Sequence, residues 1–468
     1  MTTPTPTADQ LFDAANRQMR AGEWAAAEAS LRDLLSLDPD LPEAHANLAY
    51  LLEILGHPAA AENHYRQALN GMPDQPQTHI NLGALLAAQK RDVEAEAAYR
   101  RALQLDPASP AAWSNLGVLL AYQKRETEAE ACYRTALAHA PEHRNAAFNL
   151  AYLLLRQGRY EEGWRRLEAR DWYAQIQQHL DIPRWQGESL AGKSLLIGLE
   201  AGHGDMIQFC RYGQQLKTLG AARVSVLCHS PLKTLFTRLD GIDDAIAVGD
   251  PDPGFGWDFW SPPLSLPYHL GTRLDTIPAD QPYLHADPDK VARWRIRLGE
   301  NGGKLRVGLV WKGNPRFEND AERSLQALNA LAPLGEIPGI QWISLQKGAG
   351  EDEAMPDEAP FPILPLGGEI DDFADSAAIM AHLDLIISVD TAAAHLAGAL
   401  SRPCWVLLPH YKTDWRWLDR RSDSPWYPDT MRLFRQDASA RWEPVIRNIR
   451  NELEEWVARS TRPQLTLP

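Results

Sequence analysis

Small and apolar positions recur every 34 residues along the first third of the chain. Ala27, Ala61, Ala95 and Ala129 lie one period apart, as do Leu48, Leu82, Leu116 and Leu150, and Pro39, Pro73, Pro107 and Pro141. This period predicts two short helices per unit with a turn between them. The Pro stops the second helix, because it lacks an N–H and its ring breaks the ladder. The small residue at the Ala27 position lets the paired helices approach closely, and Tyr65, Tyr99 and Tyr133 fill the space beside them. Full units are predicted at 8–41, 42–75, 76–109 and 110–143. A decaying fifth unit at 144–177 has Gly163 in the small position and no closing Pro. A terminal unit of this kind caps a stack or joins it to the next domain.

The pattern resembles the tetratricopeptide repeat position by position. Asn47, Asn81, Asn115 and Asn149 keep the same spacing, on the first helix of four successive units. A carboxamide offers a donor and an acceptor together, so a column of them can hold an extended peptide backbone without reading its side chains. A similar asparagine ladder lines the concave face of the repeats in O-linked N-acetylglucosamine transferases. Holding of a protein or peptide acceptor by these four residues is one expectation. The alternative is that Asn is common at this place in the repeat and faces water.

After about residue 180 the helical period stops, and β-rich runs alternate with helical ones. Ser194–Leu199, Arg223–Cys228 and Asp243–Val248 read as buried strands, with helices near Met206–Leu219 and Pro231–Leu239. Trp257–Asp287 is rich in Pro and aromatic residues and reads as loops, with a hinge near 286. A second series follows, with strands at Leu305–Val310, Gln341–Leu345, Asp384–Val389 and Cys404–Leu408. Its helices are predicted near Leu325–Leu334, Phe373–His382 and Thr391–Leu400. An all-α solenoid (8–177) followed by two Rossmann-like parallel α/β domains (178–286 and 287–460) facing one cleft is the simplest architecture.

Composition narrows the function. At 468 residues the chain exceeds what one core supports. Its 47 Lys and Arg against 62 Asp and Glu give a net charge of −15, which disfavours nucleic acid as a partner. Cys132, Cys210, Cys228 and Cys404 are scattered among apolar neighbours and read as buried small hydrophobes in a reducing compartment. The M-T-T-P-T-P-T start has neither the apolar core nor the positive flank of a signal peptide. No apolar run reaches the ~20 residues of a membrane span. A cytoplasmic location is the expectation.

Ligands in open α/β sheets sit beyond the C-terminal strand ends, so three loops there are the candidate chemistry. The first is E-A-G-H-G-D, Glu200 to Asp205, where two glycines permit a tight turn before a helix. Asp205 either faces a ligand or caps that helix. The second is V-D-T-A-A-A-H, Val389 to His395, a strand running into a helix start where N–H groups and a hydroxyl can meet a pyrophosphate. It contributes Asp390, Thr391, Ala392 and His395, and capping by Asp390 is the alternative reading. The third is W-K-G-N-P, Trp311 to Pro315, with Arg323-Ser324 placed at the next helix start. Lys312, Arg316 and Arg323 gather positive charge there, with Asn314 beside them, although surface cations are often merely solvated. Gln346-Lys347-Gly348 belongs to the same rim.

Residues 183–456 resemble glycosyltransferase family 9, the heptosyltransferase-like group with the two-domain GT-B fold, and especially bacterial members joined to tetratricopeptide repeats. The resemblance rests on Pro183–Lys193 (P-R-W-Q-G-E-S-L-A-G-K), Gly204–Tyr212 (G-D-M-I-Q-F-C-R-Y), Ser261–Pro267 (S-P-P-L-S-L-P), Gly308–Pro315 (G-L-V-W-K-G-N-P) and Val389–Leu400 (V-D-T-A-A-A-H-L-A-G-A-L). Asp414–Leu418 (D-W-R-W-L) and Ser424–Pro428 (S-P-W-Y-P) complete it. It implies an inverting transfer of a sugar from a nucleotide-diphosphate sugar, with Asp205 as the base that activates the acceptor hydroxyl. It also implies that Asp390, Thr391 and His395 hold the donor diphosphate. Lys312 is a charge partner by position.

Two residues depart from the family's E-Q-G-L-G-D. Ala201 and His203 stand where Gln and Leu are usual, and His203 is either an extra acid/base group or a surface substitution. No cofactor is implied. The Asp38-Pro-Asp40, Asp250-Pro-Asp252 and Asp287-Pro-Asp289 strings are Pro-centred and read as turns and caps rather than metal ligands. The resemblance extends to flagellin-modifying enzymes, which points to a protein acceptor. A lipid-linked or polysaccharide acceptor, as in the heptosyltransferases, is the second reading. A non-catalytic protein-binding scaffold is the third.

Overall fold

The structure, a computed structural model, describes residues 6–251 and 253–460. The first five residues of the M-T-T-P-T-P-T start and Asp252 of the second Pro-centred string lie outside the described residues. The chain divides after Leu153 into two compact units.

The first unit is a stack of antiparallel helix pairs. The pairs are α1 (Ala8–Ala21) with α2 (Trp24–Leu37), α3 (Pro42–Ile54) with α4 (Pro58–Gly71), α5 (Pro76–Ala88) with α6 (Asp92–Leu105), and α7 (Pro110–Tyr122) with α8 (Glu126–His139). The division of the chain falls within α9 (Arg144–Arg156). Pro opens α3, α5 and α7, where its missing N–H costs no bond and its fixed φ suits the first turn. The 34-residue period is a packing period. Ala27, Ala61, Ala95 and Ala129 are fully buried, and Tyr65, Tyr99 and Tyr133 are buried beside them. A Cβ added at Gly83 would lie 2.7 Å from the Tyr99 ring, and one at Gly117 would lie 2.6 Å from the Tyr133 ring.

Two polar devices repeat with the packing. The ring nitrogens of His45 and His79 and the indole of Trp113 bond the carbonyls of Pro39, Pro73 and Pro107 at 2.8, 2.9 and 2.9 Å, fixing each inter-repeat turn. Arg91 and Arg125 reach back to Glu62 and Glu96 of the preceding repeat, both at 2.7 Å. These pairs are partly exposed and contribute at most about 1 kcal/mol each, so burial carries the stack. Ala129→Leu should therefore lower stability by about 1–3 kcal/mol through overpacking. Urea unfolding of the full chain checks this, and an unchanged midpoint contradicts it.

The second unit takes in the end of α9, continues with α10 (Tyr160–Leu167) and holds two all-parallel sheets. The first has the order β3-β2-β1-β4, from β1 (Ser194–Ile197), β2 (Arg223–Cys228), β3 (Asp244–Ala247) and β4 (Phe259–Ser261). The second has the order β10-β9-β8-β5-β6-β7. Its strands are β5 (Leu305–Val310), β6 (Ile340–Ser344), β7 (Ile363–Pro365), β8 (Leu385–Val389), β9 (Cys404–Leu408) and β10 (Met431–Arg435). In both, the first strand of the series is interior, and the order reverses beside it, which is the switch point where such sheets bind ligands. All four cysteines are buried.

The structure corrects several expectations. The stretch expected to be loops contains β4, which pairs with β1 in register Leu195 to Phe259. Three residues followed by Pro262 and Pro263 are too few to show a period. The expected helix Leu325–Leu334 is a short 3-10 turn, Leu328–Leu331, followed by one helical turn, Ala332–Gly335. Arg323 ends the short helix Asp320–Arg323 instead of starting the next one. Strands β7 and β10 and the helices Pro288–Leu298 and Glu443–Ser460 were not expected. Asp287 caps the first of those helices, accepting from the N–H groups of Asp289 and Lys290, as its Pro-centred string suggests. Among the described residues no helix is long and apolar enough to cross a membrane.

Candidate active site

The turn after β1 is set from below by a buried ion network. Glu200 and Arg170 side chains are fully buried and paired at 2.6 Å. Arg170 also bonds Glu168 at 2.8 Å and the Ser265 hydroxyl at 2.8 Å, and Arg184 bonds Ser265, Tyr173 and Glu168. Removing one partner from such a pair leaves an uncompensated buried charge, at a cost of about 3–5 kcal/mol. Glu200 is thus a structural anchor of the turn. Ala201 then takes φ 59°, a left-handed conformation that strains a residue with a Cβ. Gly202 caps the helix His203–Phe209, and the Asp205 Oδ2 accepts the Gly202 N–H at 2.9 Å. The capping role open to Asp205 is realised by one of its oxygens. The other accepts from Arg416.

The second sheet supplies the facing wall. The helix Ala392–Ala399 follows β8 and is capped by Thr391 instead of Asp390, with no side chain bonded to its first amides. The Thr391 hydroxyl lies 3.1 Å from the Ser388 hydroxyl. Burial and the neighbouring Asp414 push the Asp390 carboxyl up to about 6, while Arg323, Trp417 and Arg416 act in the opposite direction. His395 stacks on Trp417 with ring centroids 5.2 Å apart, and its Nδ1 lies 3.0 Å from the Tyr427 hydroxyl. Burial, reinforced by Arg416, Arg211 and Arg323, holds its pKa well below the ordinary histidine range, so the imidazole is neutral. It offers a hydrogen bond and no charge.

The two walls touch. A Cβ added at Gly204 would lie 2.9 Å from the His395 Cδ2 and 3.4 Å from the Ala392 Cα. Only glycine permits this approach, so the Gly-Asp turn and the Asp-Thr-x-x-x-His helix form one site. The segment Asp414–Leu418 spans both. Asp414 caps its own turn and bonds Arg416 Nη1 at 2.8 Å. Trp415 packs 5.2 Å from Trp164 and 6.3 Å from Phe209, Arg416 pairs with Asp205, and Trp417 covers His395. The sequence carries Arg416 and Trp417 in its D-W-R-W-L string, yet spacing gives no sign that they meet residues more than 20 positions away.

The rim after β5 differs from the expected cationic cluster. Lys312 pairs with Glu353, which also accepts from the Trp311 indole at 3.0 Å and the Leu328 N–H at 2.6 Å. Gln346 is buried and spends its amide on backbone: its oxygen accepts from Trp311 and Lys312 N–H, and its nitrogen donates to Lys312 and Ala349 carbonyls. It staples two rim loops together and has no hydrogen-bonding capacity left for a donor. Asn314 accepts from the Arg316 N–H, and Lys347 is exposed, 3.3 Å from the Gly367 carbonyl. Arg323 pairs with Asp320 at 3.1 Å and lies over Phe317, and its charge reaches Asp390 and His395. Of the expected cations, Arg323 alone is placed toward the Asp390 helix.

His203 lies between the rings of His229 and Phe373, at 4.7 and 5.2 Å. Burial, then the charge of His229, lowers its pKa to about 4. At neutral pH the ring is uncharged and packs between these neighbours. In the first unit the four ladder residues are all half-buried. Asn47 donates to Asn16 at 3.2 Å and Asn81 accepts from Gln77 at 2.8 Å. Among the described residues, no three His, Cys, Asp or Glu side chains are grouped as metal ligands.

A tetratricopeptide repeat model matches residues 12–76, 55–110, 94–130 and 114–178. The Caulobacter vibrioides protein FlbA is 28% identical over 328 residues, 64% of this chain. The match spans 53% of FlbA, about half its length. Among solved structures, Pseudomonas aeruginosa PilF is 26% identical and covers 36% of this chain and 75% of its own, with a TM-score of 0.33. YrrB, described as a TPR protein with an unusual peptide-binding site, is 20% identical and covers 35% and 84%, with a TM-score of 0.30. MamA from Desulfovibrio magneticus is 17% identical and covers 38% and 99%, with a TM-score of 0.33. The first unit and its continuation to 178 are thus tetratricopeptide repeats, a protein-binding module, joined to an α/β unit.

The lowered His203 pKa gives a signed prediction. Its neutral form contributes stability that is fully present above about pH 6.5 and is lost as pH falls toward 4. His203→Leu should gain thermal stability relative to wild type progressively across that window. A difference in melting temperature that is constant from pH 7.5 to 4.5 contradicts the assignment.

Proposed function

We propose that the chain is a glycosyltransferase that moves a sugar from a nucleoside-diphosphate donor to a hydroxyl of a protein bound by the repeats. The observation that carries this reading is the close approach of Gly204 to His395 and Ala392, which brings the Gly204-Asp205 turn against the Ala392–Ala399 helix. Both elements lie at the C-terminal ends of parallel strands. Both belong to motifs that resemble heptosyltransferase-like enzymes.

The chemistry assigned to these groups balances. Asp205 takes the proton of the acceptor hydroxyl as its oxygen forms a bond to the anomeric carbon. The bond from that carbon to the phosphate oxygen breaks, and the nucleoside diphosphate leaves with the electron pair. Its growing charge meets the first amides of the helix, the Thr391 hydroxyl, Arg323 and Arg416. Attack from the face opposite the leaving group inverts the centre. Lys312 and Gln346, occupied by Glu353 and by backbone, support this wall structurally.

The acceptor assignment rests on the repeats. Their half-buried asparagines recur with a spacing suited to an extended backbone, and a secreted or surface protein of the flagellin type fits the resemblance. Donor binding is the first step to establish. In a thermal-shift panel of ADP, UDP, GDP, CDP and CMP, one nucleotide should stabilise the full chain selectively, and Thr391→Ala should weaken the effect. No shift with any of them would return the chain to the scaffold reading.

A further inference from the structure

The Asp205 carboxylate already holds two partners. One of its oxygens accepts from Gly202 and the other from Arg416, so an acceptor hydroxyl approaching the second oxygen meets the guanidinium already bound there. The Arg416 side chain is 7% exposed and Asp205 is 22% exposed, so the pair is largely shielded from salt and water. Arg416 belongs to the second half of the unit and is anchored by Asp414, which bonds both its Nη1 and its backbone N–H. Trp415 and Phe209 flank its guanidinium at 4.7 and 5.4 Å. The same guanidinium influences Asp390 and His395, at either end of the motif where the donor diphosphate is placed.

We propose that Arg416 is a gating residue that exchanges partners, passing from Asp205 to the diphosphate of the donor and thereby freeing the Asp205 oxygen for the acceptor hydroxyl. This rests on the transferase reading above and adds to it an order of events: donor first, then acceptor activation. A diphosphate carries more charge than one carboxylate and presents paired oxygens that suit the planar guanidinium fork. Exchange therefore needs no input beyond donor binding.

The exchange makes Asp205 a competitor of the donor for one cation, which gives the test an unusual sign. Nucleoside diphosphate affinity is measured by titration calorimetry, with UDP, GDP, ADP and CDP as probes, on wild type, Asp205→Asn, Arg416→Met and the double variant. Asp205→Asn should bind the selected nucleotide about tenfold more tightly than wild type, because Arg416 no longer has to leave a carboxylate. Arg416→Met should bind it more weakly, and adding Asp205→Asn to Arg416→Met should then change nothing.

A merely structural ion pair predicts the opposite, since breaking it disorders Arg416 and weakens binding. Unchanged or weakened affinity in Asp205→Asn overturns the gate while leaving the donor site standing. No binding of any probe by wild type removes the transferase reading and the gate together. Because Asp205 is partly exposed and its substitution is isosteric, the decisive comparison of wild type with Asp205→Asn survives even if Arg416→Met fails to fold.

Discussion

The site depends on the close approach of two chain segments at Gly204. Any side chain there would strike the His395 ring and the Ala392 backbone. The His395 ring or the turn would then have to shift to relieve the contact. Everything chemical in the α/β unit is arranged around that approach: Asp205 one residue beyond the glycine, His395 held by Trp417 and Tyr427, and Arg416 joining the two sides. Close packing makes such contacts discrete, so the site is either assembled or not.

The repeats and the chemistry are linked through the fifth unit. The α10 helix has 8 residues, against 14 in α8, and its Trp164 is buried among Trp415, Trp426 and Phe209 and donates to the Thr272 carbonyl at 3.0 Å. Beyond it, Arg170 forms the buried pair with Glu200 at the foot of the turn that carries Asp205. The last repeat is therefore part of the core that positions Asp205. The decay of the repeat pattern after residue 144 reflects this second set of contacts, and at Gly163, in the place of a repeat Ala, an added Cβ would lie 2.7 Å from Leu155.

The sequence was most legible where one local period reports one packing surface. The four repeats follow directly from positions such as Ala27 and Tyr65, and β2, β5 and β9 have the expected bounds because each is a short, mostly apolar, β-rich run between turn residues. It was least legible where tertiary partners decide a side chain's use. Lys312 is a cation at a rim, but the carboxylate that neutralises it, Glu353, lies 41 positions away. Gln346 has the chemistry of a ligand contact and is consumed by backbone of its own wall. Arg416 is the reverse case, an arginine in a tryptophan-rich string whose partner lies 211 positions earlier. His203 shows the same limit, because one of the rings packed against it, Phe373, lies in the second sheet's half of the unit.

The central claim is that Asp205 activates a protein hydroxyl toward a nucleotide sugar. Its most direct test is intact-protein mass spectrometry of a lysate from the protein's own host, incubated with the full chain and a panel of nucleotide sugars. The account predicts that one or more proteins gain mass in steps of a single sugar residue with the wild-type chain, and that Asp205→Asn reduces the rate by about 10²–10⁴-fold. Mass gains of equal rate with Asp205→Asn, or no gain with any donor, would contradict it.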